Sequence, residues 1–171
     1  MFKWRPALAD AGALRTGPTP MRLTTFTDYS LRVLMYLAAD PDRRATVAEI
    51  CAAFDVKANH LTKVVHYLGR QGWVSTVRGK GGGLTLARLP EAIRLGDVVR
   101  ETEAPDLPAE CFSSRGRPCA IVGQCRLKGV LAEAVEAFYA VLDGYTLADI
   151  TANRQGLAQL LRLPAATGLA A

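Results

Sequence analysis

Three observations predict a mainly α fold with a small β-wing. Two short helical patterns are joined by a tight turn, a glycine-rich basic hairpin follows them directly, and a much longer apolar-striped helix comes later. The combination predicts a winged helix-turn-helix domain plus a long dimerisation helix.

Composition sets the outer bounds. The chain has 171 residues, half of them hydrophobic, enough for one core of ordinary size or a compact domain with an added arm. Twenty-one Lys and Arg against 16 Asp and Glu give a formal charge of +5, which suits a polyanionic partner without requiring one. No stretch reaches the ~20 apolar residues of a membrane span, and residues 1–20 contain no apolar run suited to a secretory signal. The expected location is therefore cytoplasmic, with no membrane partner. Four cysteines then point to metal or redox chemistry rather than to structural disulfides.

Residues 1–20 form an irregular segment closed by Gly17-Pro18-Thr19-Pro20, expected to be a disordered extension or a misassigned start, with Met21 as the alternative first residue. Thr27 or Asp28 can cap a first helix in which Tyr29, Val33, Tyr36 and Leu37 recur at helical spacing up to Asp40-Pro41. Thr46 and Glu49 make a capping-box pattern ahead of a helix over 47–54. After the turn at Asp55 and Val56, residues 57–71 read as a third helix. Leu61, Val64, Val65 and Leu68 fall on one face of it, and Asn59, His60, Lys63 and His66 fall largely outside that face.

Two β-prone runs, 73–77 and 84–87, flank Arg78-Gly79-Lys80-Gly81-Gly82-Gly83, a basic hairpin tip that reads as a wing. Residues 93–103 form a further helix, and 21–103 is the expected winged helix-turn-helix domain. Pro105 and Pro108 open a loop over 104–126. Between 124 and 142, Leu127, Val130, Leu131, Val135, Phe138 and Val141 make a stripe about five turns long, an expected dimerisation helix. With a short helix near 146–150 it forms a unit over 124–153, and 154–171 reads as a flexible tail.

A helix about 10–12 Å wide matches the major groove, and a glycine-rich tip lets cations approach phosphates or a narrow minor groove. Asn59 can read adenine or a phosphate, Lys57, His60 and Lys63 can take phosphates or guanine edges, and Arg78 and Lys80 lie on the wing. The bland alternative is a solvated face on a core helix, which the adjoining wing disfavours. A nucleotide-loop reading of the glycines fails, because Gly81 follows Lys80 where Ser or Thr is needed and Leu84 stands where a dinucleotide fingerprint has Gly.

Cys111, Cys119 and Cys125 are spaced C-x7-C-x5-C, so three thiols can converge in one loop. Zinc sites usually show close C-x2-4-C pairs and four protein ligands, whereas iron-sulfur clusters accept wider spacings held by thiolates, so the spacing favours a cluster. The fourth ligand is then a carboxylate, water or a residue of a second subunit, since His60 and His66 lie on the third helix. Cys51 falls in the apolar pattern of the second helix and is assigned to the core.

Several of these motifs, in order, resemble one family. They are Met21-Arg22-Leu23-Thr24-Thr25-Phe26-Thr27-Asp28-Tyr29, Asn59-His60-Leu61-Thr62-Lys63-Val64-Val65, the wing from Val77 to Gly83, Ile93-Arg94-Leu95-Gly96-Asp97-Val98-Val99-Arg100, Cys125-Arg126-Leu127-Lys128 and Tyr145-Thr146-Leu147-Ala148-Asp149. Together they resemble the NsrR regulators, nitrite- and nitric-oxide-sensitive repressors in the wider group that includes IscR. The resemblance covers residues 21 to about 153. It implies a non-enzymatic homodimeric repressor on palindromic double-stranded operator DNA, carrying an iron-sulfur cluster, 4Fe-4S in preference to 2Fe-2S, with nitric oxide as the signal. The family's cluster cysteines map onto Cys111, Cys119 and Cys125, and a carboxylate ligand from the other subunit maps onto Asp28. The gap from Cys111 to Cys119 is longer than the family's. Lys128 stands where IscR-type proteins carry a ligating histidine, which favours the NsrR subtype.

Three rivals remain at this stage: a thiol-redox or zinc-dependent winged-helix regulator, an iron-sulfur regulator of cluster or iron homeostasis, and an enzyme or electron carrier. Absence of visible absorbance in purified protein marks the first. The last lacks a paired base and nucleophile, a cofactor fingerprint and a Cys-dense ferredoxin pattern.

Overall fold

The computed structural model describes residues 22–103, 112, 119–121 and 123–163. The expectations for residues 1–20, for Cys111 and for 164–171 concern positions outside the described residues. The first helix, α1 (Thr25–Ala39), is capped by Thr24, whose hydroxyl accepts from the Thr27 amide. Thr27 and Asp28 therefore lie inside its first turn, which corrects their expected place at the cap. Four cap-type residues, Thr24, Thr25, Thr27 and Asp28, stand close together and leave local propensity unable to choose among them. A distant contact also favours Thr24, whose amide donates to Glu103 Oε1 at 2.7 Å.

Helix α2 (Val47–Phe54) begins with the complete capping box, Thr46 accepting from the Glu49 amide and Glu49 accepting from the Thr46 amide. Asp55 in the left-handed region (φ 51°) then turns the chain into α3 (Ala58–Arg70). Leu61, Val64, Val65 and Leu68 are buried as their spacing requires. Strands β1 (Val74–Val77) and β2 (Gly83–Leu86) pair antiparallel, Val74 opposite Leu86 and Val77 opposite Gly83. A third segment joins them: Ala45 and Leu84 exchange both backbone hydrogen bonds, at 3.0 and 2.7 Å.

A 3-10 turn over Pro90–Ala92 precedes α4 (Leu95–Thr102). The long helix α5 (Arg126–Asp143) follows, then α6 (Leu147–Ile150), begun by a capping box between Thr146 and Asp149, and α7 (Arg154–Leu160), capped by Asn153. The last helix lies where the sequence predicts a flexible tail, and Leu161 and Leu163 just beyond it pack against the core. Those long-range contacts, with the Asn153 cap, order a segment that composition alone marks as frayed.

One core gathers Val33, Leu34 and Leu37 of α1 with Ile50, Leu61, Leu68, Ile93, Val98 and Leu147. Helix α1 is the hub, packed against α2, α3, α4, α6, α7 and β2. Full burial of Leu34 makes its truncation to Ala cost about 2–5 kcal/mol. Residues on both sides of Arg94 and Thr146 hydrogen-bond as a short antiparallel bridge, Leu95 N to Tyr145 O at 3.0 Å and Leu147 N to Ile93 O at 2.8 Å. That bridge returns the chain after α5 to the first domain. No helix among the described residues is long and apolar enough to cross a membrane.

Candidate functional site

Helix α3 presents Lys57, Asn59, His60 and Lys63 to solvent, because the opposite side is consumed by the core. Lys57 is the N-cap residue and has no side-chain cap bond, so its ammonium remains outside the helix's own hydrogen bonding. The His60 ring meets Tyr29 edge to face at 6.2 Å between centroids, which braces this side chain against α1. Thr62 is exposed as well, but its hydroxyl donates back to the Ala58 carbonyl at 2.9 Å.

The hairpin tip spans residues 78–82 and is closed by the Gly82 amide donating to Gly79 O at 2.9 Å. Gly79 (φ 94°) and Gly81 (φ 77°) hold left-handed conformations that side chains resist, which leaves Arg78 and Lys80 as the exposed side chains of the tip. Any Cβ on Gly82 would collide with the Val77 carbonyl oxygen. Sequence reasoning missed Arg44. It lies outside the hairpin, yet its guanidinium donates to Gly81 O at 3.1 Å. No local pattern announces a bond between residues 37 positions apart.

Of the cysteines, Cys119 lies just ahead of α5 and Cys125 begins it. Cys125 is the N-cap of α5, makes no side-chain cap bond and is half-exposed, while Cys119 is exposed; both are free thiols. Cys111 lies outside the described residues, but its sequence neighbour Phe112 sits beneath the Lys128 ammonium, 5.6 Å from nitrogen to ring centroid, against the first turn of α5. Cys51 packs against the core, and burial pushes its thiol pKa up, which disfavours the thiolate a metal requires.

Asp28 is half-exposed on the first turn of α1, where Arg32 grips it through two contacts of 3.1 and 2.9 Å. The same guanidinium lies 5.6 Å from the Phe54 ring and 6.0 Å from the Tyr29 ring. Among the described residues no three His, Cys, Asp or Glu side chains of the single chain converge as a metal site. The donors are free thiols, one of them at a helix N-terminus, together with an accessible carboxylate, and this set fits iron-sulfur ligation in its chemistry.

Helix α5 has no fully buried residue. Leu127, Val130 and Val141 are 63%, 61% and 56% exposed, so the apolar stripe is only partly covered within one chain. Leu131, Val135 and Phe138 are half-covered.

A helix-turn-helix with an exposed polar second helix, a basic glycine-rich wing behind it and an appended long helix define a winged-helix DNA-binding protein. Comparison with known proteins then gives the family. Residues 23–153 match the Rrf2 model, described as an iron-dependent transcriptional regulator. The chain is similar to the HTH-type transcriptional regulator NsrR of Geobacillus kaustophilus, 46% identical over 83% of this chain and 97% of that protein. It is similar also to that of Bacillus subtilis, 45% identical over 84% and 99%. Among solved structures, CymR, the global cysteine regulator of B. subtilis, superposes with a TM-score of 0.60 at 26% identity over 78% of this chain and 98% of that one. T. potens IscR gives 0.62 at 25% identity over 78% and 88%. The chain belongs to the Rrf2 family of transcriptional regulators, among its NsrR-type members.

Proposed function

We propose that this regulator is a nitric-oxide-sensitive repressor, a homodimer that binds operator DNA and leaves it when its iron-sulfur cluster is nitrosylated. The observation that carries the reading is Cys125 at the N-cap of α5, following Cys119, in a chain of NsrR type. Cys111, Cys119 and Cys125 are the thiolate ligands, and Asp28 of the partner subunit is the fourth. A bound cluster supplies iron that nitric oxide attacks. Lys57, Asn59, His60 and Lys63 face the major groove, and Arg78 and Lys80 take phosphates or the minor groove. Arg32, by holding Asp28 while resting on Phe54, joins the carboxylate to the end of α2, the first helix of the helix-turn-helix. A coupling of ~3 kcal/mol between ligation and DNA affinity corresponds to about 150-fold, enough for a switch.

The exposed Cys119 thiol favours one second reading, a thiol-redox or zinc-dependent regulator. Anaerobic purification separates the two. The cluster reading expects brown protein with matched iron and sulfide that bleaches on nitric oxide and then releases DNA. It also expects colour lost in the Cys111→Ala, Cys119→Ala and Cys125→Ala variants and kept in Cys51→Ala. Colourless protein whose DNA affinity follows thiol oxidation or zinc overturns it.

A further inference from the structure

We propose that Arg44 is a third DNA-contacting cation of the wing, set beside Arg78 and Lys80 by a tether that the hairpin itself does not contain. The inference rests on the wing being a DNA contact and adds to it a residue from the connection between α1 and α2.

The placement begins with the backbone. Ala45 pairs with Leu84 through two hydrogen bonds, which fixes Arg44 next to Gly83 at the start of β2. The approach is close: a Cβ on Gly83 would stand 2.9 Å from Ala45 O and 3.0 Å from Arg44 Cβ. From there the Arg44 side chain runs along the tip, and one terminal nitrogen donates to Gly81 O at 3.1 Å. The bond restrains the turn that carries Lys80 and leaves the rest of the guanidinium fork in solvent.

Charge separates Arg44 from its neighbour. Arg43 is committed to the fold: it meets Glu49 Oε1 at 2.8 Å, lies 3.9 Å from Asp40 and donates to Tyr36 Oη at 3.2 Å. Arg44 is exposed, and its guanidinium donates to a neutral carbonyl, that of Gly81. Among the described residues no carboxylate stands within 4.0 Å of it. An Arg that is fixed in direction, not neutralised and placed on a basic tip has the properties of a phosphate contact.

Salt dependence tests this, because each phosphate neutralised contributes about 0.9 to the slope of log K against log salt. The cluster-loaded protein is titrated onto a synthetic duplex selected by the wild-type protein from a random-sequence pool. Arg44→Gln, which keeps a donor for Gly81 O but no charge, is expected to weaken binding several-fold and to lower the slope by about 1. Arg44→Lys is expected to keep the slope. An Arg44→Gln slope equal to wild type overturns the proposal, whether affinity falls, as for a mere wing tether, or stays. A slope reduced alike in Arg44→Gln and Arg44→Lys, with a lowered melting temperature, also overturns it, since loss of fold and not of charge would be the cause. Arg78→Ala/Lys80→Ala is measured in parallel: if its slope drops while that of Arg44→Gln does not, only the role of Arg44 fails, and if neither drops the wing reading fails too.

Discussion

Arg100 donates both terminal guanidinium nitrogens to the two carboxylate oxygens of Asp143, at 2.7 and 2.6 Å, and so ties α4 to the last residue of α5. The Tyr139 ring lies against the same guanidinium, 4.5 Å from ring centroid to Cζ. Gly96 makes room for the pair, since any Cβ there would overlap Asp143 Oδ1. Helix α5 thus carries a candidate ligand, Cys125, at one end and a firm attachment to the winged-helix domain at the other.

Acid should loosen this attachment. The Arg100 hydrogen bond, with the charges of Arg100 and Arg94, holds the Asp143 carboxyl below the usual carboxylate range. A carboxyl with a depressed folded pKa contributes stability that is fully present above its unfolded pKa, near 4. The contribution is lost as pH falls through the lower folded pKa. Asp143→Asn is therefore expected to lower the melting temperature modestly at neutral pH, with the difference from wild type shrinking below about pH 4. Melts from about pH 3 to about pH 7 check this; a difference independent of pH would show that the charge of Asp143 has no part in it.

The wing supplies a second expectation. Removing two candidate phosphate cations with Arg78→Ala/Lys80→Ala should reduce the salt slope of DNA binding by about 2 and leave any cluster absorbance unchanged. Unaltered affinity and slope in a filter-binding or anisotropy titration would remove the wing from the interface.

Dimerisation is expected to depend on the side of α5 that one chain leaves uncovered. Leu127→Asp/Val130→Asp places two charges on residues 63% and 61% exposed, so the fold of the chain should survive while a second copy is repelled. Sedimentation equilibrium should show monomers where wild type gives dimers, and DNA affinity should fall sharply because two half-sites are no longer read together. A dimer of wild-type strength would place the interface elsewhere.

Much of the first domain was legible because its signals are local. Thr46 with Glu49 marks the start of α2, and the spacing of Leu61, Val64, Val65 and Leu68 gives α3 its buried face, both as observed. The wing was legible from Gly79 to Gly83 between two β-prone runs, with strand limits displaced by one residue. What escaped depends on contacts far apart in the chain. Arg44 is drawn to Gly81 by the Ala45–Leu84 pairing, Thr24 takes the cap partly through Glu103, and α7 is ordered where Leu161 and Leu163 find the core. The spacing of Cys111, Cys119 and Cys125 offers thiolates, but a site assembled from two chains would leave no signature in one.

A site shared between two chains is the last prediction: Asp28 is expected to ligate across the dimer. The simpler role, an N-cap, is already filled by Thr24, and Asp28 lies in the first turn with its carboxylate half-exposed. Within the chain Arg32 pairs with it, and a surface pair of this kind contributes about 0–1 kcal/mol, too little to prevent a metal bond. Asp28→Ala should still assemble a cluster on the three thiolates but shift its absorption and circular dichroism and loosen its coupling to DNA. If Asp28 serves only Arg32, the spectrum stays as in wild type and the change is a small loss of stability. Mixed dimers then decide which chain supplies the carboxylate. One subunit carries Asp28→Ala with its cysteines intact, and the other carries Asp28 but lacks Cys111, Cys119 and Cys125. The single surviving thiolate set has its carboxylate only if that group crosses the interface. A wild-type spectrum is expected, and the Asp28→Ala spectrum would refute ligation from the partner.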